Sequence, residues 1–163
     1  MKINEKKVIE LGADKDGIET FRRYPGLENG CADVGALCWW AAYECGPDYV
    51  FWLLSRLMTP IEAIKWAILA AKRHCNDSTW NAWADKWLSG EDRTEKSAES
   101  AAWAAEAVET MEPAARAAAW AATWMRYATM VAAKRAYIAA EDEAAEIKCQ
   151  IADALEILEN ERK

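Results

Sequence analysis

The stretch AESAAWAAEAVETMEPAARAAAWAATWMRYATMVAAKRAYIAA, residues 98–140, decides the class of fold. Alanine has the highest helix propensity because it loses no side-chain entropy and buries no polar group. A run this rich in alanine is expected to be helical wherever nothing interrupts it. Pro113 is the one interruption and reads as the first-turn proline of a new helix. Small side chains allow another helix to approach closely, and Trp103, Trp120, Trp124 and Tyr127 supply the large apolar areas that lock such contacts. The word Ala-Ala-Trp-Ala-Ala begins at Ala101 and again at Ala118. Two copies of five residues do not make a solenoid repeat, so the stretch is low-complexity helix.

Outward from this stretch the helical signals continue. Residues 113–160 as one straight helix would run on the order of 70 Å at 1.5 Å per residue, so a kink or a change of partner is expected near Ala140. Beyond it, Ile147, Ile151, Ala154 and Leu158 keep a second register, distinct from that of Trp120, Trp124, Tyr127, Val131 and Ile138. Upstream, Thr94 can cap a helix to about Thr110. Asp77 or Ser78 caps a helix closed by Gly90, with Trp80, Trp83, Ala84 and Trp87 on one stripe. Thr59-Pro60-Ile61-Glu62 is a capping box with proline at the first helical position. It opens a helix to about Cys75 with two apolar faces, one of Ile61, Ile64, Ile68, Ala71 and Cys75 and one of Ala63, Trp66, Ala67 and Ala70. Glu62, Lys65 and Lys72 mark its wet edge.

Asp48 is expected to cap the short apolar helix before it, in which Arg56 is the charge that needs a partner. Gly30 to Cys45 forms a further helix, with Trp39, Trp40 and Tyr43 opposite Val34, Leu37, Cys38 and Ala41. A helix apolar on two sides is usually sandwiched between neighbours. Lys7 to Leu11 reads as a short strand or extended arm, and Asp14 as the cap of a short helix carrying Ile18 and Phe21 inward.

The expected architecture is all-α, a single domain of six or seven helices. Residues 1–29 form an arm and short helix, 30–90 the inner Trp- and Cys-rich helices, and 91–163 the Ala-rich helices. The two helices between Asp48 and Cys75 form the inner layer. Composition agrees, with only seven Gly, four Pro and two Phe against ten Trp in 163 residues. The net charge of −7 argues against nucleic-acid binding, which needs a basic stripe. It suits solubility or a basic protein partner. The charged N-terminus is no signal peptide, and the longest apolar stretch, Tyr49 to Met58, is too short to span a bilayer. Five cysteines in no disulfide framework suit a reducing cytoplasm.

Candidate chemistry is sparse. Cys31, Cys38 and Cys45, spaced by seven, would sit about 10 Å apart on one helix, too far to share a zinc ion that holds each sulfur at about 2.3 Å. His74, the single histidine, lies near a helix C-terminus, where the dipole favours its protonated form. No nucleophile, base and orienter can be assembled, so neither a catalytic residue nor a metal or cofactor site is assigned and no enzyme is expected. Two surfaces remain. Trp103, between Glu99 and Glu106 with Glu109 beyond, is either a lid on the core or the anchor of a partner interface. The Trp80, Trp83 and Trp87 row reads as core, or as the lining of a flat pocket that stacks a nucleobase, with Arg116, Arg126 or Arg56 for phosphate, or that grips a partner helix.

Cys45-Gly-Pro-Asp-Tyr-Val-Phe-Trp-Leu-Leu-Ser-Arg-Leu57, Ala70-Ala-Lys-Arg-His-Cys75 and Asn81-Ala-Trp-Ala-Asp-Lys-Trp-Leu-Ser-Gly-Glu91 precede the alanine-rich tail. In this order they resemble alanine-rich phage and prophage proteins, a group overlapping with those labelled immunity proteins. Those proteins pair a Trp-Leu-x-x-Arg-Leu helix with an x-Trp-x-x-Gly-Glu helix end and a long Ala repeat, more monotonous than the one here. The resemblance covers about Gly30 to Ala140 and implies a phage-type origin and a binding role. The expectation is a non-enzymatic protein that binds and inhibits a basic host protein, such as a defence factor. The alternatives are sequestration of a nucleotide-like signal, or an immunity-type protein neutralising a toxin. Symmetric self-association through the alanine-rich helices stays open.

Overall fold

The structure is a computed structural model describing residues 1–107, 113–123 and 126–160. The side chains of residues 106–107, 114, 116, 120, 123 and 126–130 lie outside the description. The elements are β1 (Lys2–Asn4), α1 (Glu5–Glu10), α2 (Lys15–Arg23), β2 (Cys31–Asp33), α3 (Val34–Glu44), α4 (Pro47–Leu57), α5 (Pro60–Lys72) and α6 (Ser78–Ser89). Then follow α7 (Glu95–Ala107), α8 (Pro113–Thr123), α9 (Arg126–Ala139) and α10 (Glu143–Asn160). The fold is all-α, with ten helices among the described residues rather than six or seven. One two-stranded antiparallel ribbon pairs Lys2 with Asp33, Ile3 with Ala32 and Asn4 with Cys31.

Local chemistry sets most boundaries. Thr59 accepts from the Glu62 N–H while Glu62 accepts from the Thr59 N–H, completing the capping box over Pro60. Asp77 caps α6, and Gly90 closes it at φ +84°, a left-handed turn that only glycine adopts without strain. Thr94 accepts from the Ser97 N–H at 3.3 Å to start α7. Pro113 opens α8 as expected, and where a kink or change of partner is expected α9 ends at Ala139 and α10 begins at Glu143.

Other expectations need correction. Lys7 to Leu11 is no strand: Asn4 Oδ1 accepts from the Lys7 N–H at 2.9 Å and turns the chain into α1 immediately after β1. The helix expected from Gly30 starts at Val34, because Cys31–Asp33 pairs with β1 and Asp33 is the cap. Asp48 lies in the first turn of α4 and pairs with Lys134 at 2.8 Å; Gly46 occupies the capping position. Arg56 is exposed on the solvent side of α4 and has no burial to compensate. Glu62, placed on a wet edge, is buried because the capping box folds it back, while Ile61 is exposed.

Two apolar clusters make up the core. The first gathers Phe21, Val34, Leu37, Cys38, Val50, Phe51, Leu54, Ile151 and Leu158 around Trp66. The second is an alanine cluster from α5, α7, α8 and α9 with Trp80, Trp83 and Trp87 against it. Ala63 and Trp66 of α5 face the first cluster; Ala67, Ile68, Ala70 and Ala71 face the second. Thus α5 is an inner helix, packed on α6, α8, α9 and α10, whereas α4 serves the first cluster alone. Among the described side chains of α9 the buried ones are Ala132, Ala133 and Ala136, which let α5 and α8 approach closely, and Ile138 is left exposed. The expected register through Trp120, Trp124 and Tyr127 lies outside the described side chains. On α10, Ile147, Ile151, Ala154 and Leu158 are buried, as their spacing predicts.

The tryptophans divide. Trp66 is fully buried, and its indole N–H donates to the Gln150 carbonyl at 2.9 Å. Trp40 and Trp52 are half-buried beside Tyr24 and Tyr49. Trp39 is 42% exposed and Tyr43 88%, so on the second apolar side of α3 Trp40 alone is partly covered and the helix is not sandwiched. No helix is long and apolar enough to cross a membrane among the described residues.

Candidate functional site

The α6–α7 pair carries both surfaces that the sequence singles out. Asp77 Oδ1 accepts from the Trp80 N–H at 2.7 Å and fixes the first turn of α6. From there, i, i+3 and i+7 spacing places Trp80, Trp83 and Trp87 on the buried stripe. Trp80 donates its indole N–H to the Ala115 carbonyl at 3.1 Å, tying α6 to α8. The Trp80 and Trp83 rings are tilted at 60° with centroids 5.6 Å apart.

Trp80 and Trp83 line a cleft of about 400 Å³ closed by Ser97, Ser100, Ala101, Ala104 and Ala105 of α7, with Asp77 and Thr79 at its end. Trp87 is not part of it. The Arg93 guanidinium lies 5.0 Å from the centre of the Trp87 ring, and Arg93 Nε donates to the Trp87 carbonyl at 2.9 Å. Arg93 therefore covers Trp87 and satisfies an end carbonyl of α6. Arg56 lies in a different cleft, beside Lys2, Lys6 and Lys7. The side chains of Arg116 and Arg126 lie outside the described residues, so the phosphate-binding half of the nucleotide expectation has no described counterpart.

On the outer side of α7, Trp103 is 64% exposed and Glu99 beside it is exposed too. Trp103 thus has more of its surface in solvent than against the protein. Among its described side chains, the buried ones are Ala98, Ala102 and Ala105. The Glu106 side chain and all of Glu109 lie outside the described residues.

A polar cluster that sequence reasoning missed joins the end of α5 to α10. Glu146, 4% exposed, accepts from Arg73 Nε at 2.9 Å and Nη2 at 2.8 Å and from Gln150 Nε2 at 2.7 Å. His74 Nε2 lies 3.1 Å from its second oxygen. Arg73 Nη1 also donates to Asp153 at 2.5 Å, and Gln150 Nε2 donates to the Ala133 carbonyl at 3.0 Å. Burial would raise the Glu146 carboxyl, but the bonds from Arg73 and Gln150 outweigh it and hold the group below the ordinary carboxylate value. The available signal was Glu146 and Gln150, four apart, falling on the Ile147–Ile151 stripe rather than opposite it.

The cysteines do not converge. Cys31 is on a strand, Cys45 and Cys149 are exposed, and burial pushes the Cys38 thiol up to about 12. No group of three or more His, Cys, Asp or Glu side chains is arranged to hold a metal ion among the described residues.

Fold and site together define an all-α protein with an aromatic-walled cleft on one side of α7 and an exposed tryptophan on the other. In comparisons with protein-family models, curated proteins and solved structures, none matches this chain.

Proposed function

We propose that this is a non-enzymatic binding protein of phage type that docks on a basic surface of a bacterial host protein and inhibits it, a defence factor being the expected class of target. The observation that carries this reading is Trp103, 64% exposed beside Glu99 on the outer face of α7. A largely exposed tryptophan on a helix is a ready anchor, since one such ring can dominate the energy of an interface. The acidic flank, in a chain of net charge −7, steers it toward basic partners. The phage setting rests on the resemblance of the Cys45–Leu57 and Asn81–Glu91 stretches. Trp103→Ala combined with Glu99→Lys is the test. A host protein retained from bacterial lysate by the wild type, inhibited by it and released by the double variant is the expected result. Equal retention by a double variant with unchanged thermal melting would overturn the assignment of this face.

A further inference from the structure

A second cleft, of about 520 Å³, lies between β1, α1 and the end of α4. The charged side chains lining it are Lys2 from β1, Lys6 and Lys7 from α1, Arg56 from the last turn of α4, and a single acid, Glu10. Four cations against one carboxylate leave the lining at +3, in a chain whose net charge is −7. Lys6 and Arg56 are 50 residues apart in sequence. The charges are therefore gathered by the fold and not by the composition of one segment.

These cations are open to solvent and weakly neutralised from within. Arg56 is exposed and makes no hydrogen bond or ion pair among the described residues. Lys6 and Lys7 share Glu10, at 3.9 and 3.7 Å, and all three side chains are more than half exposed. Exposed pairs of this length contribute little, so an incoming anion can displace Glu10. Lys2 is held more closely, at 2.8 Å, by Glu28. Beneath the charges lie Ile3, which is buried, and Leu11 and Leu57, which pack on the first apolar cluster. Charges of one sign above a low-dielectric wall focus their field into the cleft.

The number and type of donors select the ligand. A lone carboxylate carries one charge and would leave most of Arg56, Lys6 and Lys7 unmatched. Linked phosphates present several charges and many acceptor oxygens in a short length. A guanidinium grips phosphate with two parallel N–H bonds, and lysines add point charges beside it. We infer that this cleft binds a small molecule bearing a polyphosphate chain, held by Arg56, Lys6 and Lys7, with Glu10 as the internal competitor for both lysines.

Inorganic triphosphate and ATP are the probes, titrated calorimetrically at physiological ionic strength without divalent cations. Both are expected to bind with Kd below about 1 mM. Tighter binding of ATP would identify a nucleotide as the source of the phosphates, and equal affinity an inorganic polyphosphate; each supports the site. Arg56→Gln, with unchanged thermal melting, is expected to weaken binding about tenfold, or about 1.4 kcal/mol. Glu10→Gln releases the two lysines and should tighten binding about two- to fivefold, the worth of an exposed ion pair. Lys148→Gln removes the same charge from an exposed position on α10, outside the cleft, and should leave the affinity within about twofold, because distant surface charges are screened. A Kd weaker than about 1 mM for both probes would overturn the site. So would equal weakening by Arg56→Gln and Lys148→Gln, which would mean unspecific attraction of anions to the chain. Binding by Glu10→Gln no tighter than by the wild type would overturn the assignment of Lys6 and Lys7.

Discussion

Glu146 shows how far a single residue can be from its sequence-level reading. Acidic residues on an alanine-rich helix are expected in water, yet this one is buried between Arg73, His74 and Gln150. Removing one partner of a buried ion pair leaves the other uncompensated. Glu146→Gln is therefore expected to destabilise the protein by about 1–3 kcal/mol at neutral pH, measured by urea unfolding. The sign of the pH dependence follows from the depressed carboxyl. Its contribution is fully present above the unfolded value of 4.5 and is lost as the pH falls toward the lower folded value. Wild-type stability should thus drop more steeply than that of Glu146→Gln below about pH 4.5; parallel curves would mean that Glu146 is not held ionised by its partners. Arg56 and Arg73 teach the same lesson in reverse. Arg56 sits in the more apolar sequence but on the solvent side of its helix, whereas Arg73 follows the last turn of α5 and reaches across to α10. Their immediate neighbours point the wrong way; the distinction comes from a helix 73 residues away along the chain.

At the scale of elements, the helices with strong local signals were legible: the capping box of α5, the Asp77 and Gly90 ends of α6, and Pro113 opening α8. Elements that depend on distant pairing were not. β2 exists because Lys2–Asn4 lies beside it, and without that partner Cys31–Asp33 reads as the start of α3. The two apolar sides of α3 illustrate a second limit, since a helical wheel counts apolar faces but not the neighbours available to cover them. Leu37 and Cys38 are buried against α4 and α10, while Trp39 and Tyr43 point outward. Gly35 permits the tight approach of α10, since a Cβ there would lie 3.1 Å from Leu155 Cδ1. The two sides should respond differently to truncation. Leu37→Ala is expected to cost about 2–5 kcal/mol, and Tyr43→Ser to stay within about 0.5 kcal/mol, both from urea midpoints. A Tyr43→Ser cost as large as that of Leu37→Ala, and dependent on protein concentration, would show that this face is covered by a second copy in solution.

For the molecule as a whole, the sequence conveys the all-α class through alanine density and helix caps, but not the division of the core. The first cluster is built from large side chains around Trp66, the second from alanines with three tryptophans against them. An alanine face has no stripe contrast with the alanines beside it, so its partner cannot be chosen from periodicity. Among the described residues, only two helices contribute buried side chains to both clusters: α5, through Ala63 and Trp66 on one side and Ala67, Ile68, Ala70 and Ala71 on the other, and α9, through Ala133 against Ala132 and Ala136. If these shared helices make the clusters one cooperative unit, damage to the second must be felt in the first. Ile68 is fully buried in the alanine cluster, and Ile68→Ala should cost about 2–5 kcal/mol. Native-state hydrogen exchange can compare the slowest amides of α3, which lie in the first cluster, with those of α6, which lie against the second. In Ile68→Ala both sets are expected to lose protection by the same free energy, because α5 cannot leave one cluster and remain in the other. Loss confined to α6 would mean that the Trp80–Trp83 cleft opens separately from the Trp66 core, and that α5 only adjoins the two clusters without coupling them.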